Sequence, residues 1–177
     1  MNELDYVECL VKRKASATYN ILKILFGILT VISLLGFLIG GPFFGSFAII
    51  GMIICFILMI VFGFLCYYCN LNSNIEYEYQ YCEKEITVDK VLNKSRRKRV
   101  GKFETERMEI FAPINSYHLD EFKNKKYQEL DFSEGVVNGE DTRYVLYYDG
   151  RQKLIMNPSE KLVSAVYLVA PRKTFKD

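Results

Sequence analysis

The sequence predicts an α+β membrane protein: an N-terminal two-helix transmembrane hairpin, then a mostly-β barrel closed by a C-terminal helix. Three observations predict it. Residues 24–75 contain no Asp, Glu, Lys or Arg. Residues 75–156 run in short segments that alternate polar and apolar side chains. One apolar run at helical spacing follows them, and Pro171 stops it.

A membrane-crossing helix takes about 20 mostly apolar residues at ~1.5 Å each, so the uncharged stretch holds two crossings and a turn. The reversal falls at Gly40-Gly41-Pro42-Phe43-Phe44-Gly45-Ser46, because proline lacks an amide donor and glycine weakens a helix. The helices are placed at about residues 21–40 and 47–68. A buried hairpin in a soluble protein competes with this reading, but 177 residues cannot cover two such helices on every face. A cleaved signal peptide fits less well, since its apolar core is shorter, about 7–15 residues. Ser46-Phe47-Ala48 matches a cleavage site only weakly.

Charge sets the orientation. Lys12, Arg13, Lys14 and Lys23 flank the start of the first helix, Lys84, Lys90, Lys94 and Arg96-Arg97-Lys98-Arg99 follow the second, and the connecting loop is uncharged. Basic flanks stay inside, which makes a two-pass protein of the cell membrane with both termini cytoplasmic. Tyr19, Tyr67 and Tyr68 suit the interfaces. The organisation is therefore a cytoplasmic segment 1–19, a hairpin 20–69 and a cytoplasmic domain 75–177. Residues 4–11 fit a strand or an interfacial helix, and their β-branched and aromatic content favours the strand. Ser33, Gly36 and Gly40 place small side chains on one face of the first helix, where backbones approach closely. Packing within the hairpin, against Gly51 or Gly63, outweighs a dimer face, and homo-oligomers stay open.

In the cytoplasmic part, residues 75–81 alternate tyrosine with acidic or polar residues, and residues 85–91 alternate again after Cys82-Glu83-Lys84. This period-two pattern reads as a half-buried hairpin. Further strands are expected near 97–103, 107–112, 126–132 and 143–148, with Asp149-Gly150 as a tight turn into 151–156. The closing helix takes Asn157 as its cap, Pro158 at its first position and Glu160 reaching back. Leu162, Val163, Val166, Tyr167 and Ala170 form its apolar face.

Strands followed by one amphipathic helix, in this order, resemble a pleckstrin-homology-like (PH-like) domain. The whole chain resembles the small bacterial membrane proteins in which a two-helix hairpin precedes a bacterial PH-like domain. The resemblance is carried by the strand pair 77–81 and 86–91, the basic segment 95–103 and the Met108-Glu109-Ile110 strand after it. Ala170-Pro171-Arg172-Lys173-Thr174-Phe175 resembles the closing stretch of one family in that group. It implies a membrane-anchored module with no assigned activity, since fold analogy does not settle function.

Composition narrows the remaining classes. Of 23 basic and 21 acidic side chains, four and three precede residue 76, so the cytoplasmic part is nearly neutral and no nucleic-acid partner is expected. Cys9, Cys55, Cys66, Cys69 and Cys82 form no disulfide framework, and Cys66-Tyr67-Tyr68-Cys69 lacks the second pair that a metal site needs. No metal or cofactor is expected. His118 is the single histidine. Ser116, His118 and Asp120 are triad residue types without triad geometry, and Asp120, Glu121 and Glu129 read as solvated carboxylates, so no catalytic residue is expected. The helices carry no ionisable group of the kind that transport uses.

The sharpest functional feature is basic. Lys94, Arg96, Arg97, Lys98, Arg99 and Lys102 form a cluster that contacts membrane lipids or stays a solvated edge strand. Strict alternation puts Arg96, Lys98 and Lys102 on one side and Arg97 and Arg99 on the other. The leading expectation is a non-enzymatic binding or scaffold module that meets lipid or an unidentified protein partner. The alternative is a small accessory or regulatory subunit of a larger membrane assembly.

Overall fold

Alternation within Ile75–Cys82 sends Tyr77, Tyr79 and Tyr81 to one face and Glu76, Glu78 and Gln80 to the other, and the β domain is built on that division. The computed structural model describes residues 6–39, 45–135 and 141–176. The chain divides into two units, residues 1–14 with 75–177, and residues 15–74. In chain order the elements are β1 (Tyr6–Lys12), α1 (Ala17–Ile39), α2 (Ala48–Ser73), β2 (Ile75–Cys82), β3 (Glu85–Leu92), β4 (Arg96–Glu104), β5 (Met108–Pro113), α3 (Asp120–Lys123), β6 (Gln128–Asp131), β7 (Tyr144–Tyr148), β8 (Gln152–Met156) and α4 (Glu160–Val169).

The β unit is discontinuous in sequence. Residues 6–12 form a strand and pair antiparallel with β2 over seven positions, from Tyr6↔Cys82 to Lys12↔Glu76. Leu4 and Asp5 lie outside the described residues. The first sheet has the order β1-β2-β3-β4, and the second β5-β7-β8-β6, with β6 parallel to β8. Among the described residues no ladder joins the sheets, so the two are not closed into a barrel. A physical reason lies at the β5 edge, which takes the C-terminal tail instead: Phe111 bridges Thr174, with Phe111 N–H donating to Lys173 O at 2.7 Å.

Tyr79, Ile86, Val88, Phe111, Leu146, Leu154, Met156, Leu162 and Val166 form one core from both sheets and α4. Tyr79 is fully buried and its hydroxyl donates to Phe132 O at 2.6 Å. The other face of the second sheet (Ile110, Ala112, Val145, Tyr147, Ile155) packs on Leu119, Phe122 and Phe175. Ser159, not Asn157, caps α4: its Oγ accepts from Leu162 N–H at 3.3 Å, which leaves Pro158 ahead of the helix. Asn157 is drawn elsewhere, accepting from Glu134 N–H and donating to Thr142.

Three hairpin turns carry two successive positive-φ residues each: Glu83-Lys84, Asn93-Lys94 and Asp149-Gly150. Such turns match the twist of the strands they join. Only the last carries a glycine.

In the helical unit, α1 and α2 extend beyond the expected spans at the ends that face residues 16 and 74. A 26-residue α2 is about 39 Å long at ~1.5 Å per residue, more than the ~30 Å hydrocarbon thickness. Phe26 packs on Phe62 and Phe37 on Phe56. A Cβ on Gly36 would lie 3.1 Å from Cys55 Sγ, so Gly36 faces α2 at Cys55 rather than at Gly51 or Gly63. Ser33 is buried and donates back to Leu29 O at 2.8 Å. Gly40 lies outside the described residues.

Candidate functional site

Five of the six predicted basic residues lie on β4, the edge strand of the first sheet, and Lys94 sits in the turn before it. Their distribution differs from strict alternation. The ladder slips between Val88↔Gly101 and Asp89↔Arg99, leaving Val100 as an extra residue. A bulge shifts everything beyond it to the other face. Lys102 therefore shares a face with Arg97 and Arg99, not with Arg96 and Lys98. No sequence signal marked the bulge except Gly101, which leaves room for the Phe103 ring; a Cβ there would lie 2.5 Å from it.

The three residues on the shared face are all paired to acids of neighbouring strands. Arg97 Nη2 lies 2.6 Å from Glu78 Oε2, Arg99 Nε 3.4 Å from Asp89 Oδ1 and Lys102 Nζ 2.9 Å from Glu85 Oε1. Glu78 is only 1% exposed, and Arg97 meets it as a charge contact without hydrogen-bond alignment. Burial pushes the Glu78 carboxyl above its ordinary range, and its hydrogen bond with Glu8 adds to that, against the opposing pull of Gln80 and Arg97. Lys102 holds the Glu85 carboxyl below the ordinary range. These cations neutralise the sheet's own acids and form its packing.

The opposite face has a different electrostatic character. Lys90 lies opposite Lys98, on the side of Ile86 and Val88. Lys90, Lys94 and Lys98 have no carboxylate partner among the described residues. Partial burial, with the nearby charges of Arg13 and Lys98, makes the Lys90 ammonium easier to deprotonate. Arg13 is held by Tyr77 OH at 3.2 Å and by Asp131 Oδ2 at 3.2 Å. Lys90 was missed in the sequence because it belongs to another strand; only the ladder brings it to Lys98.

Register places this cluster along the sheet. One end holds the positions Lys12↔Glu76, Glu76↔Val91 and Val91↔Arg97, followed by Ile75↔Leu92 and Leu92↔Arg96. The Asn93-Lys94-Ser95 turn therefore lies at the sheet end where the chain leaves β1 and re-enters β2. Lys102 lies toward the other end, opposite Thr87.

The remaining candidates are not brought together into a reactive site. Ser116 Oγ accepts the His118 backbone N–H, and the His118 ring lies against Tyr117 and Phe175. Asp120 pairs with Lys123, and Glu129 with Lys153. Cys66 donates to Lys23 O at 3.4 Å, and the described cysteines are free. No group of three metal-ligating side chains occurs among the described residues.

The chain matches the sequence profile of the family described as bacterial PH-like domain (DUF6106) over residues 2–176. No curated protein and no solved structure matched it.

Proposed function

The chain belongs to the bacterial PH-like domain family, and from that premise we propose that it is a membrane-anchored, non-enzymatic binding or scaffold module at the cytoplasmic face of the cell membrane. The β1–β2 ladder carries this reading. Strands before and after the helices pair over seven positions, so α1 and α2 are an insertion between neighbours in one sheet. An apolar insertion that leaves and returns at the same sheet end crosses a bilayer an even number of times, and its two helices supply two crossings.

Two competing readings lose ground on the same facts. A core helix is mostly buried, whereas the most apolar stretches of α1 and α2 are 6% and 0% buried. A cleaved signal sequence would carry away β1, whose Val7 and Val11 belong to the core. Burying a valine is worth roughly 1.5–3 kcal/mol, so the domain has an energetic stake in keeping that strand. The basic flank Lys12-Arg13-Lys14 then puts the domain on the cytoplasmic side.

Cys82 is exposed in the β unit and serves as a natural reporter. With an impermeant maleimide, Cys82 should label in inside-out vesicles and not in intact cells, and the label should be lost in Cys82→Ser. The full chain should also stay in the pellet after alkaline carbonate extraction. Extraction into the supernatant would overturn the anchor, and labelling in intact cells would overturn the orientation.

A further inference from the structure

We infer that the β3–β4 tip, with Lys90, Lys94, Arg96 and Lys98, is an anion-facing surface that docks the domain onto acidic phospholipid headgroups, while Arg97, Arg99 and Lys102 do not take part. The inference rests on the membrane anchor proposed above and adds the docking surface, its lipid class and a division of the basic cluster.

Three independent observations carry it. The first is register: the tip and Lys12 share the sheet end at which the chain departs for α1 and returns from α2. The β unit ends at Lys14 and resumes at Ile75, so Ala15, Ser16 and Asn74 are all that lie between it and α1 and α2. Chain geometry allows at most about 3.5 Å per residue. An anchored domain therefore holds this end at the headgroup layer.

The second is the charge inventory. On the inferred surface Lys90, Lys94 and Lys98 lack acid partners among the described residues, and two of them are cross-strand neighbours. Like charges directly opposite destabilise a sheet, and an anion seated between them relieves that repulsion. Partial burial first, and then the charges of Arg13 and Lys98, make the Lys90 ammonium easier to deprotonate. On the other face, Arg97, Arg99 and Lys102 already have acids at 2.6, 3.4 and 2.9 Å.

The third is distance. Lys102 lies five paired positions beyond Arg96 on the ladder, about 17 Å at ~3.4 Å per residue. That exceeds the ~8 Å Debye length at physiological salt, so a headgroup layer at the tip exerts little pull on Lys102 even without its partner. An acidic protein segment would also be attracted to the cluster. The lipid is preferred because an anchored tip is held at a headgroup layer, whereas a protein has to arrive.

The test uses the full chain in nanodiscs of phosphatidylcholine alone, or with about one third phosphatidylglycerol. Lysines are acylated with a water-soluble reagent and read by mass spectrometry. Lys90, Lys94 and Lys98 should react about fivefold more slowly in anionic discs, the factor expected from ~1 kcal/mol per basic residue near such a surface. Lys126 and Lys161, exposed elsewhere, serve as references. The protection should vanish in about 1 M salt, where the Debye length is ~3 Å. Lys90→Gln/Lys94→Gln should weaken the lipid-dependent protection of Lys98, and Arg99→Gln/Lys102→Gln should leave it intact. Equal rates in both discs for retained protein overturn the docking alone. Protection that ignores lipid charge and salt, or that falls on Lys84 and Lys102, also overturns it. A chain that carbonate removes from the discs overturns the anchor as well.

Discussion

Replacing Arg97 with alanine should destabilise the β domain by about 1–3 kcal/mol. Breaking a buried ion pair costs roughly 3–5 kcal/mol and an exposed one 0–1, and this pair is mixed. Glu78 is 1% exposed and Arg97 56%, which places the loss between the two limits. The cost comes from the orphaned carboxylate and not from lost packing, because Glu78 is then left against Glu8 with Gln80 as its remaining polar partner. Glu78→Gln removes that charge at nearly constant shape. The double variant Arg97→Ala/Glu78→Gln should therefore recover most of the loss, with a coupling of the sign expected for neighbours.

The assay is thermal unfolding of the full chain in detergent, followed by the near-ultraviolet signal of the buried tyrosines. A loss of 2 kcal/mol corresponds to roughly 10 °C for a domain of this size. The pH dependence gives a second reading. The Glu78 carboxyl is raised in the folded state, so the native domain binds this proton more tightly than the unfolded chain. Its stabilising contribution is complete below the ordinary glutamate range and is lost as pH rises through the raised folded value. Glu85 and Asp141, lowered by Lys102 and Arg143, contribute in the opposite sense, losing stability as pH falls. The difference between wild type and Glu78→Gln isolates the first effect: the variant should gain on wild type as pH rises toward neutrality. If Arg97→Ala leaves the midpoint unchanged at pH 7 and the Glu78→Gln difference is flat with pH, the buried-carboxylate argument is wrong.

Other changes separate stability from docking. Lys94 has φ +55°, where glycine is favoured by about 1 kcal/mol, so Lys94→Gly should raise the unfolding midpoint while weakening the anionic-lipid protection of Lys98 in nanodiscs. Gly101→Ala pushes against the buried Phe103 ring and should cost about 1–3 kcal/mol as overpacking, measured by denaturant titration. Gly36→Leu meets Cys55 across the hairpin and should cost a similar ~1–3 kcal/mol, read as a lower midpoint of helical circular dichroism in detergent while the tyrosine signal of the β domain is retained.

How much of this was legible in the sequence differs between local and long-range features. The two long helices announced themselves through a charge-free run, and the β2–β3 hairpin through tyrosine alternation, because both signals repeat within one segment. The Asp149-Gly150 turn was equally local. Ser159 took the cap from Asn157 because Asn157 is recruited by Glu134 and Thr142, contacts that no local pattern reveals. The basic cluster was visible as composition, but its division between two faces, one of them held by the sheet's own acids, was not. That division depends on one extra residue, Val100, and on acids from β2 and β3 brought alongside β4. Lys90 was hidden for the same reason.

The inserted hairpin also changes what counts as the domain. A fragment beginning at residue 75 looks self-contained by sequence, yet it lacks β1. Val7 and Val11 are buried in the core, and losing two valines at roughly 1.5–3 kcal/mol each removes about 3–6 kcal/mol. That is comparable with the whole stability of many domains, about 5–15 kcal/mol. It also uncovers one edge of β2, an invitation to pair with another chain. The ladder continues to Arg13, whose N–H donates to Ile75 O at 2.9 Å, so a short glycine-rich loop from Lys14 to Asn74 can replace the helices without disturbing it. The loop-joined chain should run as a monomer on size exclusion and unfold cooperatively, while residues 75–177 alone should aggregate or unfold at a markedly lower denaturant concentration. Equal stability and a monomeric state for both would mean that β1 is dispensable, and with it the argument that the ladder ties the helices into the sheet.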